Sequence, residues 1–414
     1  MTTRRIFLKT LFGTVAGLSC FSLFLFKNRP AQVHNPVYAP VIADKVTQPL
    51  SVFINALNNI ETPTYDGSGQ SVHPSVIDFK TEYGLDNWGG FRYWMALTPF
   101  PHFNSDFENP SFLVSKDGLS WSNPPGIKEP LVSKPIGSLK GNYNNPPRIK
   151  VPLVSKLIGA LKGNHNKPPR IKEPLVSKPI DSLKGNYNSD PELVFDPDLN
   201  TLILYWREYS QNAFEKIWAK KFSSTFKQSD KILCFEKTWD LKTGLVLSPT
   251  VWRKSAKEWF MWTTDGNLIM KLYKSSDGLT WSSGQLCSAP WVTWNGGYIP
   301  WHIVAKPNHL EQKIEFLIAG WPKQKTINDC QLFYATASMS QPEELSMPLQ
   351  GFLLAPGGGD KWDNGYIYRS SFVLEPGDKP KFRIWYSACS KKKVWHIGYT
   401  EGTLDNIPSN TKQA

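Results

Sequence analysis

Five times along this 414-residue chain a short extended segment with a polar or proline-bearing opening is followed by an aromatic-rich strand. The openings are His73-Pro74-Ser75-Val76, Asp190-Pro191-Glu192-Leu193, Ser248-Pro249-Thr250-Val251, Pro300-Trp301-His302-Ile303 and Tyr368-Arg369-Ser370-Ser371. The second strands read Tyr93-Trp94-Met95-Ala96-Leu97, Leu202-Ile203-Leu204-Tyr205-Trp206, Trp259-Phe260-Met261-Trp262, Ile314-Glu315-Phe316-Leu317-Ile318 and Phe382-Arg383-Ile384-Trp385-Tyr386. One such sheet cannot bury both its faces alone, so the units must stack on one another around a central channel. The expected fold is all-β, a five-bladed β-propeller of four-stranded antiparallel blades spanning residues 71–405.

The residues outside that span carry other signals. Thr3-Arg4-Arg5-Ile6-Phe7-Leu8-Lys9 and the apolar run Leu11 to Phe26 read as a twin-arginine export signal within residues 1–30. The run is short for a spanning helix, which needs roughly 18 apolar residues. The expected location is therefore periplasmic or extracellular, with membrane tethering if the signal is not removed. Residues 31–70 read as a linker with a closing strand, and 406–414 as a tail. Cys234, Cys287, Cys330 and Cys389 are even in number, which permits disulfides in an oxidising compartment and equally permits buried thiols; their spacing excludes a compact zinc motif.

Residues 127–192 hold a tandem repeat inserted between blades one and two. Ile127-Lys128-Glu129-Pro130-Leu131-Val132-Ser133-Lys134 returns almost verbatim from Ile149 and from Ile171, a period of 22 residues. From Ile127 to Asn188, twelve Lys or Arg stand against Glu129, Glu173 and Asp181, so most of the chain's net charge of +12 is local. The stretch reads as an extended, solvated insertion suited to an anionic surface polymer, or as a duplication with no selected partner. No nucleic-acid motif is present, and a monomer is expected.

Two turns, Ser115-Lys116-Asp117-Gly118-Leu119-Ser120-Trp121 and Ser275-Ser276-Asp277-Gly278-Leu279-Thr280-Trp281, share the pattern Ser-x-Asp-Gly-x-x-Trp. In it the Asp staples backbone amides and the Gly accepts a positive φ. The pattern resembles the Asp-box of sialidases. Together with the blade count and the Pro-containing openings, it makes the chain similar to a divergent member of the five-bladed superfamily of glycoside hydrolase family 43 and the family 32 fructan hydrolases. The resemblance implies a carboxylate at each of three blade openings. Here those positions hold His73, Glu192 (after Asp190 and Pro191), and the carboxylate-free Leu247-Ser248-Pro249.

In a propeller, inner-strand starts, second-strand ends and third-strand starts share one face. That rule collects His73, Asp190, His302 and Arg369, then Arg207, Glu208, Asp265 and Trp321, then Glu108. Asp190, Glu208, Glu108 and Glu192 are the candidate acids and bases for glycoside hydrolysis, which ordinarily needs two carboxyl groups. His73, Arg207, Asp265, His302, Trp321 and Arg369 are candidate substrate-binding residues, a mixture suited to hydroxyl hydrogen bonding and ring stacking. The two histidines read either as partners of substrate, ion or water, or as channel residues satisfied by backbone. No protein metal ligands are assigned and no cofactor is required; a channel cation such as calcium is the one ion contemplated. Nucleotide, zinc-protease and serine-hydrolase motifs are missing. The sequence thus points to an exported carbohydrate-active protein, hydrolase-like, with a non-catalytic glycan-binding propeller as the alternative.

Overall fold

The computed structural model describes residues 52–133, 186–210, 214–238, 246–264, 269–288, 298–322, 330–349 and 352–404. The export-like segment, the middle of the repeat region and the last residues lie outside this set. Eighteen strands form five antiparallel sheets in chain order. The first sheet holds β1 (Ser71–Asp78), β2 (Tyr93–Pro99) and β3 (Ser111–Ser115). The second holds β4 (Asn186–Asp196), β5 (Thr201–Ser210), β6 (Phe214–Ser223) and β7 (Ile232–Thr238). The third holds β8 (Leu247–Ser255), β9 (Glu258–Thr264), β10 (Met270–Ser275) and β11 (Gln285–Leu286). The fourth holds β12 (Tyr298–Asn308), β13 (Lys313–Pro322), β14 (Gln331–Ser338) and β15 (Gln341–Ser346). The fifth holds β16 (Tyr366–Glu375), β17 (Lys381–Cys389) and β18 (Trp395–Gly402).

This is the expected five-bladed propeller, with one difference. Among the described residues, blades one and five carry three strands each, and single bridges stand at their outer edges. Val114 pairs with Ser122 in blade one, and Ile60 pairs with Ile397 in blade five.

Each blade is a sheet covered on both faces by its neighbours, so the inner strands read as continuous apolar runs instead of alternating ones. All seven residues of β2 are buried. Five apolar clusters are the five interfaces between blades. Trp94 and Phe112 meet Leu204 and Trp206 between blades one and two. Tyr205 meets Met261 between two and three, and Trp262 meets Phe316 between three and four. Leu317 meets Ile384 between four and five, and Val76 meets Val373 and Trp385 to close the ring. Truncating one such buried ring to Ala costs on the order of 3–5 kcal/mol.

The Ser-x-Asp-Gly turns are built as their residues dictate. Asp117 Oδ1 accepts from Leu119 N at 2.8 Å and Ser120 N at 2.7 Å. Asp277 Oδ1 accepts from Leu279 N at 2.8 Å and Thr280 N at 2.7 Å. Gly118 stands at φ 80°, and a Cβ there would press on Trp385 and Arg383. The four cysteines beyond Cys20 are free, buried thiols, so the disulfide alternative is not realised.

The repeat region departs from a wholly solvated insertion. Ile127 and Leu131 of the first copy are buried against Trp94, Phe112 and Leu204, and Leu131 N donates to Pro110 O at 3.0 Å. At the far end, Asn186, Tyr187 and Asn188 of the last copy already belong to β4.

Candidate metal centre

Every inner strand breaks its ladder register near the mouth: between Val72 and Ser75, Ser189 and Glu192, Leu247 and Thr250, Pro300 and His302, and Ile367 and Ser370. In the first three blades a proline, which has no N–H for the ladder, follows a residue held at positive φ: His73 at 59°, Asp190 at 53°, Ser248 at 51°. Non-glycine residues in this region cost of order 1–3 kcal/mol and persist where the surroundings hold them, commonly at functional sites. The bulges turn the side chains of His73 and Asp190 toward the same point, where His302 arrives from blade four.

At that point Asp190 Oδ1 lies 3.7 Å from His73 Nε2 and 3.0 Å from His302 Nδ1. The three residues can offer ligand atoms that all lie within 4.8 Å of one another. All three are buried; Asp190 Oδ1 and His302 Nδ1 have only each other within hydrogen-bond distance, and His73 Nε2 and His302 Nε2 make no hydrogen bond. Two unpaired imidazole nitrogens beside a buried carboxylate carry a desolvation cost that a bound cation would remove. The reading of these histidines as satisfied by backbone therefore fails.

The surroundings fix the ligand forms. Thr98 Oγ1 sits 3.0 Å from His73 Nδ1, which orients the ring so that Nε2 faces Asp190. Burial drives both imidazoles below their ordinary range, leaving them neutral, the form that binds metal. For Asp190 burial works against the charge, but attraction to any proton carried by His73 or His302, the 3.0 Å contact with His302 Nδ1 and then the Arg207 guanidinium more than offset it, holding the carboxyl well below the usual range. Ser189 Oγ also donates to Asp190 Oδ2 at 3.0 Å. Two neutral imidazoles and one carboxylate suit a first-row transition ion or zinc better than calcium, which prefers six to eight oxygens.

Glu108 is the second carboxyl here. Its Oε2 is 3.9 Å from His73 Nδ1, and burial, then the charge of Asp190, pushes it well above the carboxylate range. Tyr368 walls the site, its ring 4.2 Å from that of His302, and accepts from Trp301 Nε1 at 2.9 Å. Trp321 stacks on Tyr366 at 5.7 Å at the rim.

The other sequence candidates lie elsewhere. Glu192 and Arg369 are engaged with each other below the mouth: Arg369 Nη2 reaches Glu192 Oε2 at 2.8 Å, while Nη1 donates to Pro191 O at 2.6 Å. Ser75 and Thr250 hydroxyls donate to the same carboxylate at 2.9 and 2.8 Å. Thr250 in turn accepts from Ala305 N at 3.0 Å, so one buried knot laces all five inner strands. Arg207 is committed to Glu215, with Nε at 3.0 Å, and its Nη1 stands 3.9 Å from Asp190 Oδ2. Strand alternation sends the neighbouring Glu208 the other way, toward Lys231 at 3.9 Å. Of the four candidate acids and bases, Asp190 and Glu108 therefore stand on either side of His73, while Glu208 and Glu192 are turned elsewhere. Asp265 lies outside the described residues.

The site thus defines a five-bladed propeller with a buried His-Asp-His cluster at its mouth. No protein-family model matches the chain. It is similar to the A type blood N-acetyl-alpha-D-galactosamine deacetylase of Flavonifractor plautii, 24% identical over 403 residues, which cover 81% of this chain and 45% of that protein. The chain thus spans less than half the length of this curated relative. The structure resembles that of an N-acetylgalactosamine deacetylase from F. plautii in complex with blood group B trisaccharide, with TM-score 0.63 and 19% identity over 86% of this chain and 97% of that one. A putative exo-beta-1,3-galactanase from Bifidobacterium bifidum aligns at TM-score 0.45 and 11% identity over 84% and 93% of the two chains.

Proposed function

We propose that this propeller is a glycan-acting amidohydrolase that removes the acetyl group of an N-acetylhexosamine and uses a divalent cation held by His73, Asp190 and His302. The observation that carries the reading is the convergence of those three buried residues, with Nε2 of both histidines unpaired. The similarity to an N-acetylgalactosamine deacetylase supports the reaction class. When bound, such an ion polarises a carbonyl and acidifies water. Asp190 supplies the one fixed negative charge of the ligand set, and Thr98 holds the His73 ring. Glu108, kept protonated by burial, would give its proton to the amine nitrogen as the amide C–N bond breaks and recover one from the water whose oxygen bonds the acetyl carbon. Tyr368 and Trp321 furnish ring faces for a sugar.

Glycoside hydrolysis is the weaker reading, because Glu208 points away from Asp190 and Glu192 is spent on Arg369. The deciding assay measures acetate and new reducing ends released from N-acetylhexosamine-containing oligosaccharides. Acetate without new reducing ends is expected. Asp190→Asn lowers it by at least about 100-fold. Glu108→Gln lowers kcat by about 100- to 10,000-fold with metal content unchanged. New reducing ends without acetate would replace this reading with glycosidase action; neither product, with binding retained, would make the propeller a lectin.

A further inference from the structure

The mouth face carries a second cavity that the reaction above does not use. It is lined by the segment just before β16, Gly359 to Trp362 and Asn364, by the turn between β17 and β18, Ser390 to Lys392 and Val394, and by His396. Its volume is about 350 Å³, within the range of small-ligand sites. Inner-strand starts and second-strand ends share the face on which His73, Asp190 and His302 lie, so this cavity opens on the same face as the metal centre. A run of aromatic rings leads from one toward the other: Tyr368 touches His302, and Trp395, whose chain neighbours Val394 and His396 line the cavity, packs 5.2 Å from Tyr368 and 5.0 Å from Phe103. Phe103 is 37% exposed and, like His102, is held at positive φ, so a strained tip presents its ring to the mouth.

The charge of the cavity is one-sided. Lys361, Lys391 and Lys392 line it, and none makes an ion pair among the described residues; Asp360 is the single acid on its wall. Trp362 supplies an aromatic wall and is anchored by its Nε1 donating to Ala56 O at 3.2 Å. Leading into it runs Gly357-Gly358-Gly359. Gly357 is required because a Cβ would run into Asp363, and Gly359 by φ 63°, but Gly358 has open space and no unusual φ. Bare backbone at that lip permits close approach of a ligand.

Building on the deacetylase reading, we infer that this blade-five cavity binds an anionic sugar unit, carrying a carboxylate or a sulfate, of the same glycan whose N-acetylhexosamine lies at the metal centre. The substrate class is then an acidic glycan, with Phe103 as the ring platform between the two subsites.

Calorimetry on the full chain tests this with three hexasaccharides: sulfated chondroitin, unsulfated chondroitin and neutral chitohexaose. At low salt at least one chondroitin is expected to bind at least tenfold tighter than chitohexaose. That advantage should disappear in Lys391→Ala/Lys392→Ala and shrink with added salt. The difference between the two chondroitins identifies the anion read. Equal affinities, no binding of either chondroitin, or an advantage untouched by the lysine changes overturns the inference. Acetate release is measured in parallel on the same unsubstituted protein. A protein that shows the lysine-dependent preference but releases no acetate therefore fails only as a deacetylase.

Discussion

At the residue scale, the decisive property is which buried polar atoms are paired. Glu192, Arg369 and Arg207 are held in ion pairs within the protein, while His73 Nε2 and His302 Nε2 have no partner and converge with Asp190. The sequence shows the His-Pro and Asp-Pro openings but cannot show this difference, because pairing depends on residues from other blades. It also hides the ligand set, whose members belong to three blades with no fixed spacing. Glu129 illustrates a paired atom beside an unpaired one. Phe112 N donates to its Oε1 at 2.9 Å, Oε2 has no partner, and burial pushes the carboxyl up to about 7. A folded-state value raised above the ordinary 4.5 means the unfolded chain ionises first. Glu129 therefore costs nothing at low pH, its cost grows as pH rises from about 4.5 to about 7, and the cost is constant above that. Glu129→Gln should raise stability at pH 8 by up to about 3 kcal/mol and leave it nearly unchanged at pH 4, read from urea unfolding at both pH values. An equal effect at both would show that the charge is not the cause.

At the element scale, the five openings and second strands were legible because each is a local apolar run ended by turn residues. The outer edges were legible only in part: the bridge at Ile60 falls in the segment read as a linker with a closing strand, while that at Ser122 comes from a segment with no strand pattern. The repeats were legible as repeats, but their packing was not: identical sequences cannot reveal which copy the blades use. Blade packing draws on Ile127 and Leu131 from the first copy and on Asn186 to Asn188 from the last, which together make one copy's worth of ends. Removing residues 134–177 joins Ser133 to Lys178 in register, because Ser133 and Ser177 are equivalent across two periods. The shortened protein should keep its melting temperature within about 4 °C, the scale of a 1 kcal/mol change. A loss of cooperative unfolding would assign the removed copies a packing role.

At the scale of the whole molecule, the ring is closed by the apolar contact of blades five and one and by the buried knot around Glu192 and Arg369. Removing one partner of such a buried pair typically costs about 3–5 kcal/mol, so these residues serve the ring before any chemistry. The candidate metal centre is also a property of the whole ring, since blades one, two and four each give it one ligand. An ion there ties three blades together and binds only the folded chain, which raises stability by mass action. The measurement that tests the account most directly is metal content and melting temperature of the purified protein, before and after chelation, beside Asp190→Asn. One transition ion or zinc per chain is expected, lost on chelation together with a fall in melting temperature, and absent from a folded Asp190→Asn variant. A protein that takes up no divalent ion, and melts identically with and without chelator, would contradict it.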